Sequence, residues 1–241
     1  MQLYDMHSHI LPAFDDGAET VEDSLALIDC LKQQGIANIC LTPHFYTHEM
    51  GVDDFLRKRD AAFESFRPHI PDDVDIVLGC EVYVTHYLFN GDDITGLTYG
   101  KSRYILTEFA YRSDFGDKTM NMLSSLWSNF RLIPVLPHVE RYDFLIDNPD
   151  VIEDLKNNGV IIQTNISNYA EKAPFFRKRK LLKYIANGLI DILGSDAHSF
   201  THNSPKVFTQ AMNTISQKCG DSRLSDMMER SAKIFRAAQG E

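Results

Sequence analysis

A parallel α/β fold is predicted by three features of this sequence. Seven short apolar runs rich in β-branched residues recur along the chain. Stretches with apolar residues three and four apart, the helical spacing, lie between them. A length of 241 residues with 44% hydrophobic residues suits one large core. The short runs are apolar on both faces, as expected of strands covered by helices on either side. Periodicity alone does not choose between a closed barrel and an open sheet.

The first strand is expected around Leu3 to Met6, and the first helix over Val21 to Leu31, opened by Thr20 as N-cap with Asp23 in the first turn. Ile36 to Leu41 reads as the second strand and Asp53 to Phe66 as the next helix. Strands at Ile76 to Leu78 and Tyr104 to Leu106 precede a helix over Lys118 to Phe130. Strand Leu132 to Leu136, helix Val151 to Asn157, strand Val160 to Ile162, helix Phe175 to Ala186 and strand Ile190 to Leu193 continue the rhythm. The tail, Pro205 to Lys218 and Leu224 to Ala238, reads as two helices broken at Cys219-Gly220-Asp221. No linker or shift in composition divides the chain, so residues 1–241 are expected to form a single domain.

Composition excludes several classes. No apolar run approaches the roughly 20 residues needed to span a bilayer, so no direct membrane insertion is expected. The start, Met1-Gln2-Leu3-Tyr4-Asp5, lacks the basic residues of an export signal, and a cytoplasmic location is the expectation. Cys30, Cys40, Cys80 and Cys219 have neither the density nor the spacing of a disulfide framework or zinc ribbon. A net charge of −10 argues against nucleic acid as a partner. The one dense basic run, Arg177-Lys178-Arg179-Lys180, reads as a solvated helix face.

The chemistry lies in where polar residues fall relative to the strands. His7 and His9 follow the first strand, His44 the second, Glu81 the third, Glu108 the fourth, His138 the fifth, and Asp196 with His198 the last. Parallel α/β barrels place their active sites at these C-terminal strand ends. Imidazoles mixed with carboxylates suit zinc, manganese or iron(II), whereas all-oxygen sets suit magnesium or calcium. The one-residue gap in His7-Ser8-His9 puts both rings on one face of an extended segment, where they can share an ion. Taken singly, His44 or His138 is more often a hydrogen-bonded core histidine than a ligand; their convergence with the others favours a metal cluster. Several divalent ions would outweigh the carboxylates and attract a phosphate monoester. Arg141, three residues after His138, is placed to fork onto two phosphate oxygens, the alternative being a surface pair with Glu140 or Asp143. Phe14, Phe45, Tyr46, Tyr83, Phe109 and Tyr111 follow the candidate ligands and either line a pocket for a phenolic ring or pack near the mouth.

The blocks His7-Ser8-His9-Ile10-Leu11-Pro12 through Asp15-Asp16-Gly17, Thr42-Pro43-His44, Gly79-Cys80-Glu81, Pro137-His138-Val139-Glu140-Arg141 and Gly194-Ser195-Asp196-Ala197-His198 resemble the polymerase and histidinol phosphatase (PHP) superfamily. Within it they are similar to the bacterial capsule-associated protein-tyrosine phosphatases of the CpsB and YwqE type. The resemblance implies a distorted seven-stranded (β/α)7 barrel and three divalent ions, with manganese preferred and iron or zinc as alternatives. By that analogy His7, His9, Glu81 and Asp196 hold one ion, Glu81, Glu108 and His138 a second, and Asp16, His44 and His198 the third. Asp16 rather than Asp15 takes the ligand position, with Asp15 pointing outward or orienting a loop. The implied reaction is hydrolysis of a phosphomonoester by direct attack of metal-bound hydroxide. The implied substrate is a phosphotyrosine-bearing bacterial tyrosine autokinase that controls capsule or exopolysaccharide synthesis. One departure stands out: relatives carry an arginine before proline after the final Asp-x-His, whereas this chain reads Ser199-Phe200-Thr201-His202-Asn203-Ser204-Pro205. His202, Asn203 and Lys206 are the candidates to replace it. The alternatives are a histidinol-phosphate or other small-molecule phosphatase and an inactive metal-binding scaffold. A cysteine-based phosphatase is excluded, because no cysteine is followed six positions later by arginine.

Overall fold

Strand and helix alternate as the apolar pattern requires in the computed structural model, which describes residues 2–241. β1 (Leu3–Asp5) leads into α1 (Val21–Lys32), where the Asp23 backbone N–H donates to the Thr20 hydroxyl at 3.1 Å, as expected of the cap. β2 (Ile36–Leu41) and β3 (His44–Tyr46) precede α2 (Val52–Phe66), and β4 (Asp75–Leu78) runs on to β5 (Glu81–Tyr83). β6 (Tyr104–Glu108), α3 (Asp117–Phe130) and β7 (Ile133–Leu136) follow. A short α4 (Asp143–Asp147), which the sequence does not announce, abuts α5 (Pro149–Asn157). β8 (Ile161–Asn165), α6 (Phe175–Ala186) and β9 (Ile192–Gly194) come next, and α7 (Phe208–Cys219) and α8 (Asp221–Gln239) end the chain on either side of Gly220.

Every strand pair is parallel, but the strands form two sheets, ordered β1-β2-β4 and β3-β5-β6-β7-β8-β9, rather than one closed seven-stranded barrel. The reason is local. Two of the apolar runs continue past a break into a second short strand, β2 into β3 across Thr42-Pro43 and β4 into β5 across Gly79-Cys80. The Thr42 N–H still reaches the Ser8 carbonyl at 2.8 Å, but Pro43 has no N–H to carry the pairing on. The His44 N–H turns instead to the Asp15 carboxylate at 3.0 Å. On the other side, β1 and β9 are tied beyond their ends by Asp196 N–H to His7 C=O at 2.7 Å and His9 N–H to Ala197 C=O at 2.9 Å. Asp196 has a left-handed backbone, φ 53°, which prevents these bonds from extending into a regular ladder.

The apolar residues divide into two clusters. The larger lies between the strands and the surrounding helices, and includes Leu27, Ile39, Phe45, Ile105, Ile162 and Leu193. The smaller gathers Met6, Cys40, Val77, Leu106, Val135 and Ile192 from the opposite faces of the strands, and Ile234, Phe235 and Ala238 of α8 complete it. Side chains alternate across a strand, so one run of residues serves both clusters. Both layers hold the strands in place, and the C-terminal strand ends open on a single polar mouth.

Candidate metal centre

Every metal-ligand candidate reaches that mouth. His7, His9 and His138 are fully buried, Glu81 and Asp196 nearly so. Nitrogen His7 Nε2 lies 3.1 Å from His9 Nε2, 3.2 Å from Glu81 Oε2 and 3.5 Å from Asp196 Oδ1. His9 Nε2 is 3.3 Å from Glu81 Oε2 and 3.4 Å from Asp196 Oδ1. These four side chains form one compact set of donors, as the analogy implies. A second set joins His9, Asp16, His44 and His198, adding His9 to the three expected. A third joins His44, Glu81 and Glu108, with His44 where His138 was expected. His138 is not remote from it, because its Nε2 stands 2.7 Å from Glu81 Oε1 and 3.5 Å from Glu108 Oε1. Glu81 touches four imidazoles and is the hub.

The hydrogen bonds behind these donors decide which atoms face inward. His9 Nδ1–H donates to Asp15 Oδ2 at 2.7 Å and His198 Nδ1–H to the Asp196 carbonyl at 2.7 Å. Each bond fixes a tautomer whose Nε2 lone pair points into the mouth. Two imidazole Nε2 atoms 3.1 Å apart, those of His7 and His9, repel as lone pairs unless a proton or a cation lies between them. Three donors, Asn165 Nδ2 and Asn203 Nδ2 at 2.8 Å and Arg141 Nη2 at 2.5 Å, take Asp196 Oδ2 and leave Oδ1 facing the histidines. His138 Nδ1 is buried without a hydrogen-bond partner, and His44 Nδ1 lies 3.1 Å from Glu81 Oε2 without forming a hydrogen bond to it, which is costly in a protein interior unless something else satisfies these atoms. This donor set fits divalent ions of the borderline class.

Electrostatics point the same way. Burial disfavours the charged His9 ring, but Asp15, Asp196 and Glu81 outweigh it and raise its pKa well above the ordinary value. His7 is raised less, burial opposing Glu81 and Asp196. Glu81 and Asp196 are held well below the usual carboxylate range, since the surrounding histidines overcome desolvation. Burial and the neighbouring Glu81 push Glu108 up. Burial with the like charge of His9 brings His198 down to about 4, so its ring is neutral and ready to ligate. The mouth without ions stores protons on His7 and His9 that an ion would displace.

Several residues that organise the mouth are not evident from the sequence. Of the two expectations for Asp15, the loop-orienting one holds and the residue does not point outward: its side chain is 8% exposed, Oδ2 binds His9 and the His44 N–H, and Oδ1 accepts the Gly17 N–H at 3.0 Å. Gly17 makes this loop feasible, because a Cβ there would lie 1.9 Å from the His9 carbonyl oxygen. Gln163 Oε1 accepts the His138 N–H at 2.7 Å and its Nε2 donates to Asn165 Oδ1 at 2.9 Å. Asp5 bridges β1 to β9, accepting the Ser195 N–H at 2.7 Å, and burial pushes its carboxyl up to about 6. Glu140 pairs with neither Arg141 nor solvent. It is buried against Thr164 Oγ1 at 2.8 Å, the Asn165 N–H at 3.0 Å and Asn168 Nδ2 at 2.8 Å.

Arg141 stands on the rim with its side chain 31% exposed, its guanidinium on Asp196 and on the Tyr111 hydroxyl at 3.2 Å. Asp143 is taken by Arg177 at 2.8 Å, so the surface pair considered for Arg141 does not form. In the loop lacking the second arginine, Asn203 is the residue that reaches in, onto Asp196. The His202 ring stands edge-on to His198 at 5.0 Å, and Lys206 Nζ lies 4.5 Å over the Phe200 ring. Tyr46, Tyr83, Phe109 and Tyr111 border a cavity of about 420 Å³ beside Glu108. Phe14 and Tyr46 border a second, of about 710 Å³, with Asp15, Asp16 and His44. Phe45 is core. All four cysteines are free, and burial pushes the Cys80 thiol up to about 12.

The chain has relatives among known proteins. The chain is 29% identical to the tyrosine-protein phosphatase CpsB of Streptococcus pneumoniae over 93% of its own length and 94% of that protein. It is 28% identical to the tyrosine-protein phosphatase YwqE of Bacillus subtilis (strain 168), over 97% and 91%. The crystal structures of YwqE and CpsB, described as unique metal-dependent tyrosine phosphatases, match with a TM-score of 0.82 at 24% identity, covering 98% of this chain and 95% of that one. A lactonase of Listeria monocytogenes shares the fold more loosely, with a TM-score of 0.62 at 11% identity over 97% and 94%. The family model for capsular polysaccharide synthesis, CpsB/CapC, matches residues 3–236, and the chain belongs to that family.

Proposed function

We propose that this chain is a metal-dependent protein-tyrosine phosphatase. The observation that carries the reading is the convergence of nine donor side chains on one mouth around Glu81, in a chain whose relatives are named tyrosine-protein phosphatases. We assign His7, His9, Asp16, His44, Glu81, Glu108, His138, Asp196 and His198 to three divalent ions, with manganese preferred. Bound there, the ions would lower the pKa of water and polarise phosphoryl oxygens. The protein's own part is positional. Asp15 and the Asp196 carbonyl fix ring tautomers, Asn165 and Asn203 hold one Asp196 oxygen aside, and Arg141 exchanges Asp196 and Tyr111 for phosphate oxygens as substrate enters. The cavity bordered by Tyr46, Tyr83 and Tyr111 takes the phenyl ring.

The substrate we assign is a phosphotyrosine-bearing tyrosine kinase acting in capsule or exopolysaccharide synthesis, in keeping with the family's description. Four unpaired thiols suit the reducing cytoplasm. A small-molecule phosphatase is the second reading. Against it stands the openness of the mouth, where the Asp16 side chain remains 70% exposed, as a protein-borne phosphate requires. The test is turnover of p-nitrophenyl phosphate, a phosphotyrosyl peptide and histidinol phosphate side by side. Each is assayed after chelation and after reconstitution with manganese, iron or zinc, with bound metal counted. Manganese-restored turnover of the first two substrates and two to three ions per chain are expected. Absence of turnover in metal-loaded protein would establish the scaffold reading, and preference for histidinol phosphate the small-molecule one.

A further inference from the structure

The outward stripe of α6 takes no part in the chemistry above. Phe175 and Phe176 open this helix at 68% and 83% exposure, the two most exposed large apolar side chains among the described residues. Their rings stand edge to face, 5.5 Å apart. Arg179 and Lys183 follow Phe175 at four-residue steps and so share its stripe. With Lys172 they are exposed and form no ion pair among the described residues. Arg177 and Lys180, by contrast, are paired with Asp143 and Asp147 at 2.8 Å, and Lys178 donates to the Ala170 carbonyl at 2.9 Å. The inward stripe, Leu181, Tyr184 and Ile185, is buried in the core. Residues 171–183 hold six lysines and arginines and one acid, in a chain of net charge −10.

We propose that the outward stripe of α6, led by the two rings at its N-terminus, is a peripheral docking wedge for an anionic lipid bilayer, with Phe175 and Phe176 in its interface and Lys172, Arg179 and Lys183 on its headgroups. Projecting rings flanked by long cationic side chains match a bilayer surface, which accepts apolar side chains without shape complementarity and attracts nearby cations. A folded partner would instead need a preformed pocket for two rings with acids in register around it. The acidic remainder of the surface is repelled by the same bilayer, so the charge distribution selects this end. Arg177 borders a cavity of about 460 Å³ together with Arg141 and Asn203. The wedge therefore lies beside the mouth, and docking keeps the mouth within reach of phosphates carried close to the membrane. Two rings and three free cations make a weak, reversible and salt-sensitive contact.

The test is co-sedimentation of the full chain with vesicles of phosphatidylcholine alone and of phosphatidylcholine mixed with phosphatidylglycerol, at low and raised salt. The wild type should partition onto the mixed vesicles at low salt and leave them as salt rises. The pair F175S/F176S should lower partitioning about tenfold or more, as should R179E/K183E, with turnover of p-nitrophenyl phosphate unchanged. No partitioning of the wild type, equal partitioning onto pure phosphatidylcholine, or undiminished partitioning of both variants would overturn the proposal. So would binding to polyglutamate as strong as to the mixed vesicles, which would assign the stripe to an acidic protein. The wild-type arms decide the question even if a variant folds poorly.

Discussion

Replacing Asp15 by alanine isolates how much of the mouth depends on a residue outside the donor sets. The carboxylate accepts three hydrogen bonds, from His9 Nδ1 at 2.7 Å, the His44 N–H at 3.0 Å and the Gly17 N–H at 3.0 Å. Its loss leaves two backbone donors short of partners, each costing about 1–3 kcal/mol where water cannot replace the acceptor. The His9 ring is then free to take the other tautomer and to turn, and His44 loses the anchor of its main chain. Loss of such a partner behind a ligand typically lowers metal affinity about 10- to 100-fold, or roughly 1.4 to 2.7 kcal/mol. Because His9 belongs to two of the three donor sets, the upper part of that range is expected. Asp15→Asn keeps an oxygen for His9 and turns its amide toward a backbone donor, so its affinity should fall between wild type and alanine. Titration calorimetry of manganese into chelator-stripped protein gives the affinities, with circular dichroism to confirm the fold. Wild-type manganese affinity in a folded Asp15→Ala variant would refute the reasoning, and the His9 tautomer would then need another explanation.

Glu108→Ala and His138→Ala should each lower turnover by about 100-fold or more while the chain remains folded, because both remove a donor at the mouth rather than core volume; near-native turnover in either would show that the site is misplaced. Arg141→Ala should raise KM and lower kcat together for p-nitrophenyl phosphate, since the group grips charge that grows toward the transition state; a change in KM alone would reduce Arg141 to a docking contact. Protein freed of metal should show a pH dependence to which several raised groups contribute, among them Asp5 at about 6 and His7 and His9 above the ordinary 6.5. Each binds protons more tightly folded than unfolded, so its contribution is complete below the unfolded pKa and is lost as pH rises through the folded one. Below the ordinary histidine value the loss from Asp5 is opposed by His198, which is depressed to about 4 and gains stability as pH rises toward 6.5. Melting temperature should therefore fall as pH rises above 6.5, while manganese affinity rises over the same range as His7 and His9 are released; a melting curve that climbs above pH 6.5 would contradict these protonation states.

Eight of the nine candidate donors were legible because each follows an apolar run, and position relative to a strand end is a property of sequence; Asp16, in the loop before α1, is reached only through the family resemblance. Their supporting residues were less so, for differing reasons. Asp15 and Asp16 are adjacent carboxylates, and which of them turns inward depends on the loop that Gly17 closes over the His9 carbonyl. Gln163 and Asn165 carried a readable signal. They sit two apart on β8 and therefore on one face, but the apolar run that marks the strand in sequence ends at Ile162, short of both. Proximity in sequence offers Glu140 only as an alternative partner for Arg141, and the turn Val139–Arg141 sends the two side chains to different partners, Thr164 and Asp196. The division into two sheets was announced by Pro43, whose missing N–H is incompatible with an unbroken ladder.

Two of the donors also show how the chain obtains convergence from strands that would otherwise point side chains alternately in and out. His138 and Asp196 both adopt left-handed backbone conformations, with φ of 33° and 53°. For residues other than glycine this costs on the order of 1–3 kcal/mol, and it persists only where the surroundings enforce it. For His138 the enforcement is the Gln163 side chain on its N–H. For Asp196 it is the His7 carbonyl on its N–H, with Asn165, Asn203 and Arg141 on one carboxylate oxygen. The strain is located where a strand must turn sharply to present its last residue to the mouth, and nowhere along β7 or β9 themselves. A glycine at either position would relieve the backbone and remove the donor, so neither position is free to relax without loss of the ligand set.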